Sequence, residues 1–162
     1  MVLELNATPA SYSFTNNSAT NGQLLTIAGN VSSGLGSSPP SALKTLTLGG
    51  GADGLISGII SGDGSGSGGS KTATVAITKT GAGLWTLTGA NTYTGLTTVT
   101  TDRLLANNTS GSGSGFGAVS VGVNGILGGT GTIAPTGTNA INVSGVLAPR
   151  WQRQHRQSHL QS

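Results

Sequence analysis

The sequence has no cysteine, few charged residues and few aromatic residues. Of its 162 residues, 7% are charged and 4% are aromatic. The lack of cysteine excludes a disulfide scaffold and any cysteine-based zinc or redox site. The scarcity of charges and aromatic rings argues against a compact α/β enzyme, whose core is bulky and whose helices are rich in Glu and Lys. No apolar run approaches the ~20 residues of a membrane-spanning helix.

The charges that are present balance over most of the chain. Residues 1–149 hold four basic and four acidic side chains, so the net charge of +3 comes from Arg150, Arg153 and Arg156. A neutral body offers no electrostatic surface for a phosphate backbone, so we expect no nucleic-acid partner. Hydrophobic residues make up 35% of the chain, which argues against plain disorder because disordered chains are poor in apolar residues.

Short β-branched or leucine-rich segments, separated by Gly, Ser and Asn, run through residues 1–149 and indicate β-strands. No window shows helical periodicity without an intervening glycine. The strands are predicted at 24–28, 43–48, 73–78, 84–88, 97–101, 118–123, 125–127, 141–143 and 145–147. Three all-β architectures fit this pattern: a sandwich, a barrel and a β-solenoid. The Gly/Asn turns favour the solenoid, which would have about seven coils of roughly 20 residues each.

Residues 79–99, KTGAGLWTLTGANTYTGLTTV, resemble the autotransporter-associated β-strand repeat of large secreted or surface-exposed bacterial passenger proteins. The positions that match the repeat are Lys79, Gly81, Gly83, Leu87, Gly89, Asn91, Tyr93, Gly95, Thr97 and Val99. Trp85 replaces a usual leucine, while Leu96 and Asp102 replace usual glycines; Asp tolerates left-handed backbone better than most residues. The resemblance implies a right-handed parallel β-helix, used as a stalk or scaffold outside the cell, in which these residues are structural.

The chain is divided by composition into a β-helix segment over 1–149, with a flexible Gly/Ser loop at 61–70, and a basic tail over 150–162. Under a permissive choice of codons, the tail read one base later becomes Gly-Gly-Asn-Gly-Asn-Ile-Gly-Asn-Leu-Thr-Phe, which resembles the body. We therefore interpret the tail as a disordered, frameshifted end. Neither 1–10 nor 150–162 supplies a cap for a solenoid, so we expect end-to-end association of the isolated chain.

Residues 2–20 show neither a charged n-region nor an apolar h-region, so this chain is predicted to carry no signal peptide. An extracellular or cell-surface location, associated with the outer membrane in the full-length protein, is therefore implied by the resemblance and by the missing cysteines. The partners it implies are neighbouring coils of a longer chain, with host or matrix glycans or proteins as adhesive targets.

Two segments have the composition of ligand sites but lack the context. Gly64, Gly66 and Gly69 satisfy G-x-G-x-x-G, yet a strand rather than a helix follows them, and Ser70 separates Gly69 from Lys71. We interpret this segment as a loop. His155 and His159 have metal-ligand spacing on a helix without a third ligand, and the tail's arginines around Trp151 fit a nucleic-acid or membrane module. The frameshift interpretation is preferred to both.

Three carboxylates carry the alternative function, a polysaccharide-binding or polysaccharide-cleaving β-helix. Such an enzyme would gather Asp53, Asp63 or Asp102 with a basic residue in one groove. The acids are scattered along the sequence, so we expect solvated corners, no catalytic residue, no metal and no cofactor.

The remaining candidates have structural interpretations. Trp85 and Tyr93 suit a sugar-stacking platform, but both alternate with threonine, which favours core packing. Asn91, Asn107 and Asn108 are predicted to form a stacked amide ladder at a corner. Four glycosylation sequons carry no weight in a chain so rich in Asn, Ser and Thr; they begin at residues 6, 30, 107 and 142.

Overall fold

The computed structural model describes residues 2–5, 11–19, 22–33, 43–62 and 73–149. This part of the chain contains thirteen β-strands and no helix, hence no helix long and apolar enough to cross a membrane. The strands are β1 (Val2–Glu4), β2 (Ser11–Asn16), β3 (Leu25–Ile27), β4 (Asn30–Ser32), β5 (Leu43–Gly50), β6 (Gly54–Ile56), β7 (Ile60–Ser61), β8 (Thr74–Lys79), β9 (Trp85–Leu87), β10 (Thr97–Ala106), β11 (Val119–Gly129), β12 (Ile141–Val143) and β13 (Val146–Pro149). The predicted all-β class is confirmed.

All pairs between these strands are parallel, and the strands stack on three sides. The first side comprises β2, β5, β8, the start of β10, the start of β11 and β12. The second side comprises β3, β6, β9, the end of β10, the end of β11 and β13. The third side begins with β1, β4 and β7, and the Thr92 amide continues it by donating to the Ile60 carbonyl. We use "coil" for one passage of the chain over these three sides.

The spacing between stacked strands changes along the chain. Stacked residues on the first side are 34 and then 31 positions apart between β2, β5 and β8. From β8 onward the spacing is 20, 22 and 22 positions. The predicted coil of about 20 residues therefore holds only for the second half. Among the described residues, the first side has six stacked strands, against about seven predicted coils, and the early coils are longer than predicted.

The core lies between the three sides and consists of inward columns of side chains. One column on the first side runs Phe14, Leu48, Lys79, Val99, Val121, Val143. One column on the second side runs Leu25, Gly54, Trp85, Leu104, Leu127, Leu147. Alternation places these residues inside and Thr or Ser outside, because successive side chains of a strand point to opposite faces.

The nine predicted strand segments all fall on observed strands, but five elements were missed. These are β1, β2, β4, β6 and β7. Four of the five have only two or three residues, which is too short for an alternating pattern to stand out. The tail at 150–162 and most of the Gly/Ser loop at 61–70 lie outside the described residues.

Candidate functional site

The repeat segment 79–99 forms most of one coil near the middle of the stack. It begins at the last residue of β8, includes β9, crosses the third side and ends inside β10. Coils with described strands therefore lie on both sides of it, β5 to β7 before and β10 to β11 after. The segment is thus flanked by the backbone of a neighbouring coil on each side.

Lys79 is a fully buried lysine whose ammonium group is held by backbone carbonyls. Its Nζ donates to the carbonyl oxygens of Thr80 and Gly81 at 2.8 Å and of Thr101 at 3.1 Å. Three acceptors match the three donors of an ammonium group. The Thr101 carbonyl belongs to the next coil, so this lysine fastens two coils together at the corner between the first and second sides.

Two carboxylates lie near this buried charge. Burial lowers the pKa of Lys79, while the charges of Asp102 and Asp53 act in the opposite direction and raise it. Asp53 is exposed, and its Oδ1 accepts a hydrogen bond of 2.9 Å from the Leu84 amide of the next coil. One lysine and two acids therefore lie near this corner, and the ammonium group of the lysine is enclosed and bound by three backbone carbonyls. Asp63 lies outside the described residues.

The three departures from the repeat pattern each have a structural account. Asp102 has φ = 54° and is the only non-glycine residue with positive φ in the described part, which confirms that Asp takes the left-handed role of the usual glycine. Leu96 is 46% exposed and points away from the core. Trp85 is fully buried, and a Cβ on Gly54 of the preceding coil would lie 2.6 Å from its indole ring. The larger side chain in one coil is therefore matched by a missing side chain in the coil before.

The repeat glycines lie where coils come closest. A Cβ on Gly83 would lie 2.0 Å from the Ala52 carbonyl oxygen, and one on Gly89 would lie 2.3 Å from that of Gly58. Side chains at these corners would push neighbouring coils apart. A Cβ on Gly81 or Gly95 would lie 2.5 or 2.3 Å from a backbone carbonyl oxygen of the coil before, and Gly81 also has positive φ.

Asn91 joins three successive coils with its side-chain amide. Its Oδ1 accepts from the Ile60 amide of the coil before at 2.8 Å, and its Nδ2 donates to the Gly113 carbonyl of the coil after at 2.7 Å. The predicted ladder of stacked amides is wrong. Asn107 and Asn108 occupy different positions along the coil, and their Oδ1 atoms accept from the Thr130 and Thr132 amides. At the corners, backbone groups that have no partner in a neighbouring strand form hydrogen bonds with the side-chain amides of these asparagines instead.

The two aromatic rings of the segment are core residues, as predicted. Trp85 and Tyr93 are both fully buried, which leaves no ring face for a sugar. The Trp85 Nε1 donates to the Gly49 carbonyl at 3.1 Å. The Tyr93 hydroxyl lies 2.7 Å from Thr97 Oγ1, which donates in turn to the Ser114 carbonyl. Burial raises the pKa of the Tyr93 phenol. Leu87 and Val99 complete the buried part of the motif.

Lys44 is a second buried lysine, which the sequence analysis did not single out. Its Nζ donates to the carbonyls of Leu5 and Ser33, and burial lowers its pKa. The sequence pattern did indicate its burial. Lys44 lies two and four residues before the inward Leu46 and Leu48, and alternate residues of a strand share one face. Lys79 likewise has the parity of the inward residues of β8.

Other predicted candidates fall outside the described residues. They are the glycine-rich segment at 64–71 and the two histidines and arginines of the tail. Among the residues that the structure does describe, no three His, Cys, Asp or Glu side chains come together in a group that could hold a metal ion.

Comparison with known proteins agrees with this geometry for one segment. No curated protein and no solved structure shows a significant match to the chain. Residues 77–101 match the family model described as passenger-associated-transport-repeat. This stretch contains the buried lysine, the corner glycines and the coil-joining asparagine described above. The match confirms the predicted resemblance to the autotransporter-associated repeat in this part of the chain.

Proposed function

We propose that the chain is a structural segment of a large secreted or surface-exposed bacterial passenger protein. It acts as a stalk or adhesive scaffold and carries no catalytic site. Two findings support this function: the family match at 77–101, and the parallel stacking of the strands. The same family match supports a location outside the cell for the full-length protein.

The architecture proposed for this segment is a right-handed parallel β-helix. Parallel strands joined by a crossover within one sheet are right-handed in about 98% of cases, because twisted strands pack back on the sheet only that way. Here each crossover passes over two other sides before the next strand pairs with the previous one. Stacking at about 4.8 Å per coil then gives a rod whose length grows with the number of coils.

The observation that carries the structural function is that the polar side chains of the repeat are buried and bonded inside the stack. Lys79, Asn91 and Tyr93 are the motif residues with the most chemistry, and each is at most 1% exposed. Their polar atoms bind backbone or side-chain atoms of their own and neighbouring coils. A side chain engaged in this way stabilises the stack and is not available to a substrate.

Two measurements on the 162-residue chain test this function against a polysaccharide-active one. The first is binding and cleavage of a panel of acidic and neutral polysaccharides by the chain and by the double variant Asp53→Asn, Asp102→Asn. We expect no cleavage by either protein. Cleavage that is lost in the double variant while the melting temperature is kept would replace the scaffold with an enzyme.

The second measurement concerns location. An antibody raised against the chain is applied to intact cells of the organism that carries the gene, with and without protease treatment. We expect labelling of intact cells that protease removes. Labelling that requires lysed cells would contradict a surface scaffold, whatever the polysaccharide assay shows.

A further inference from the structure

The outer face of the second side is rich in aliphatic side chains, unlike that of the first side. On the first side the outward residues that stack on one another are mostly threonine, as at Thr47, Thr78 and Thr98. On the second side β3, β6, β9, β10 and β11 are consecutive neighbours, and we number their coils 1 to 5. Each of these coils places one aliphatic side chain outward, at least partly exposed; in order they are Leu24, Leu55, Leu84, Leu105 and Ile126. We call the outward positions of these five coils the aliphatic face.

The aliphatic face contains two columns of outward positions next to the corner with the first side. From coil 1 to coil 5, the column at the corner consists of Leu24, Asp53, Leu84, Arg103 and Ile126. The column two residues further along each strand consists of Thr26, Leu55, Thr86, Leu105 and Gly128. In both columns the residues of coil 2 and coil 4 complement each other, as opposite charges in the first column and as two leucines in the second. Coil 3 is therefore the centre of a symmetric pattern.

Asp53 and Arg103 are the only charged residues in these two columns. Both are exposed, and neither forms an ion pair with another described residue. They lie two coils apart, about 9.6 Å along the stack, with Leu84 between them. The Leu84 amide donates to Asp53 Oδ1, which holds the acid on this face. A complementary partner therefore presents a base opposite Asp53, an acid opposite Arg103 and aliphatic side chains around both.

A second copy of the same chain meets this requirement. Two aliphatic faces can oppose each other about a two-fold axis that runs along the strands at coil 3, midway between the faces. Coil 2 of each copy then lies opposite coil 4 of the other, and each column faces its own equivalent because the axis is parallel to the strands. Asp53 of each copy meets Arg103 of the other, and Leu55 of each copy meets Leu105 of the other. Leu84 and Thr86 meet their own equivalents at the axis.

We propose that the aliphatic face binds the same face of a second copy, with the two stacks side by side and antiparallel. The contact is isologous, so it closes as a dimer. The facing sheets would lie about 10 Å apart, as in other packed sheets. Because the contact uses the side of the stack, both ends stay free to continue into further coils of a longer chain. The pairing goes beyond the proposed scaffold function and does not depend on it.

The size of the face sets the expected strength of the dimer. Five coils extend about 19 Å along the stack, and three residues of each strand extend about 10 Å across it. This is well below the roughly 800 Å² per partner of a standard interface. We therefore expect weak association, in which the two charge pairs fix the orientation more than they add affinity.

Sedimentation of the 162-residue chain measures the association, and exchange of the two charges tests the arrangement. The weight-average mass should rise from 15.8 kDa and level off at twice that value between about 10 µM and about 1 mM. Asp53→Arg and Arg103→Asp each place like charges opposite each other at two positions, so the dissociation constant of either variant should increase by at least about tenfold. An equimolar mixture of the two variants should form the mixed dimer, because one copy then carries two bases and the other two acids.

Three results would overturn the proposal. They are a parent chain that stays monomeric throughout, either variant associating as tightly as the parent, and a mixture that associates no better than its components. A mass that continues to rise beyond the dimer without responding to the charge variants would show end-to-end association instead of side-by-side pairing.

A second pair of variants keeps the test valid if Asp53→Arg, which loses the hydrogen bond to Leu84, does not fold. Thr86→Lys places two like charges together at the two-fold axis and should weaken the dimer by at least about tenfold. Thr78→Lys is the matched control, since Thr78 is also a partly exposed outward threonine but lies on the first side. The control should associate like the parent chain, with melting temperatures confirming that both variants are folded. Equal dissociation constants for the two variants would show that the aliphatic face is not the contact.

Discussion

Asn91 and Asn30 form a natural pair for measuring what burial adds to a coil-joining hydrogen bond. Both side chains accept, through Oδ1, a backbone amide of the same neighbouring coil: Asn91 accepts Ile60 N–H at 2.8 Å and Asn30 accepts Ile59 N–H at 2.9 Å. Asn91 is 1% exposed, whereas Asn30 lies on the surface. The donors are consecutive residues, so the two bonds differ mainly in their access to water.

Replacement of each asparagine by alanine should therefore have unequal effects on the free energy of unfolding. Asn91→Ala leaves the Ile60 amide and the Gly113 carbonyl without partners in a buried place. Each unsatisfied group costs about 1–3 kcal/mol, so the expected loss is roughly 2–6 kcal/mol. In Asn30→Ala, water replaces the side chain at the Ile59 amide, and the expected loss is about 0.5–1 kcal/mol.

Urea unfolding measures both losses. The fluorescence of the buried Trp85 reports unfolding when Trp151 is first changed to phenylalanine, and far-UV circular dichroism checks that both probes give one transition. If Asn91→Ala is unfolded in buffer, an osmolyte such as trimethylamine N-oxide restores a measurable transition. Equal losses for the two variants would refute the reasoning, because they would show that burial of the Asn91 bonds contributes nothing.

Three further predictions test the packing of the repeat coil. Gly83→Ala should lose about 1–3 kcal/mol because its Cβ meets the Ala52 carbonyl, while Gly51→Ala, with nothing within 4 Å, should stay within about 0.5 kcal/mol in the same urea assay. Gly54→Ala should destabilise the parent chain but cost less in a Trp85→Leu background, and a double-mutant cycle without coupling would contradict the matched volumes. Burial lowers the pKa of Lys79, so the unfolded state binds more protons at alkaline pH, and stability should rise with pH as the pH approaches the usual lysine pKa from below. Lys79→Met should flatten part of this rise, leaving the share that comes from Lys44; a rise of undiminished slope in the variant would show that Lys79 does not titrate as proposed.

Local pattern was enough to predict eight of the thirteen described strands and the resemblance of the repeat segment to its family. The alternation of apolar and Thr residues in β5, β8 and β10 follows from the two-residue period of a strand, which depends on no other part of the chain. The resemblance of residues 79–99 to the repeat likewise depends only on residues that are close together in the sequence. The role of Asp102 was also readable, because the tolerance of Asp for left-handed backbone is a property of the residue itself.

The partners of each residue were decided only by the tertiary structure. Asn91 contacts residues 31 and 22 positions away, and those distances depend on how much chain each coil takes up. Early coils use up to 34 positions and later ones 20 to 22, a difference that no local pattern encodes. This is why a uniform coil of about 20 residues and the amide ladder were wrong.

The match between Trp85 and Gly54 shows the same division. The sequence determined that a tryptophan replaces a leucine in the repeat, and alternation placed it inside. Which residue gives way to the larger ring depends on the register between β6 and β9, which puts Gly54 directly beneath it. Strand formation is local, so short segments of sequence are enough to predict it. Close packing depends on contacts between atoms that meet only after the coils have stacked.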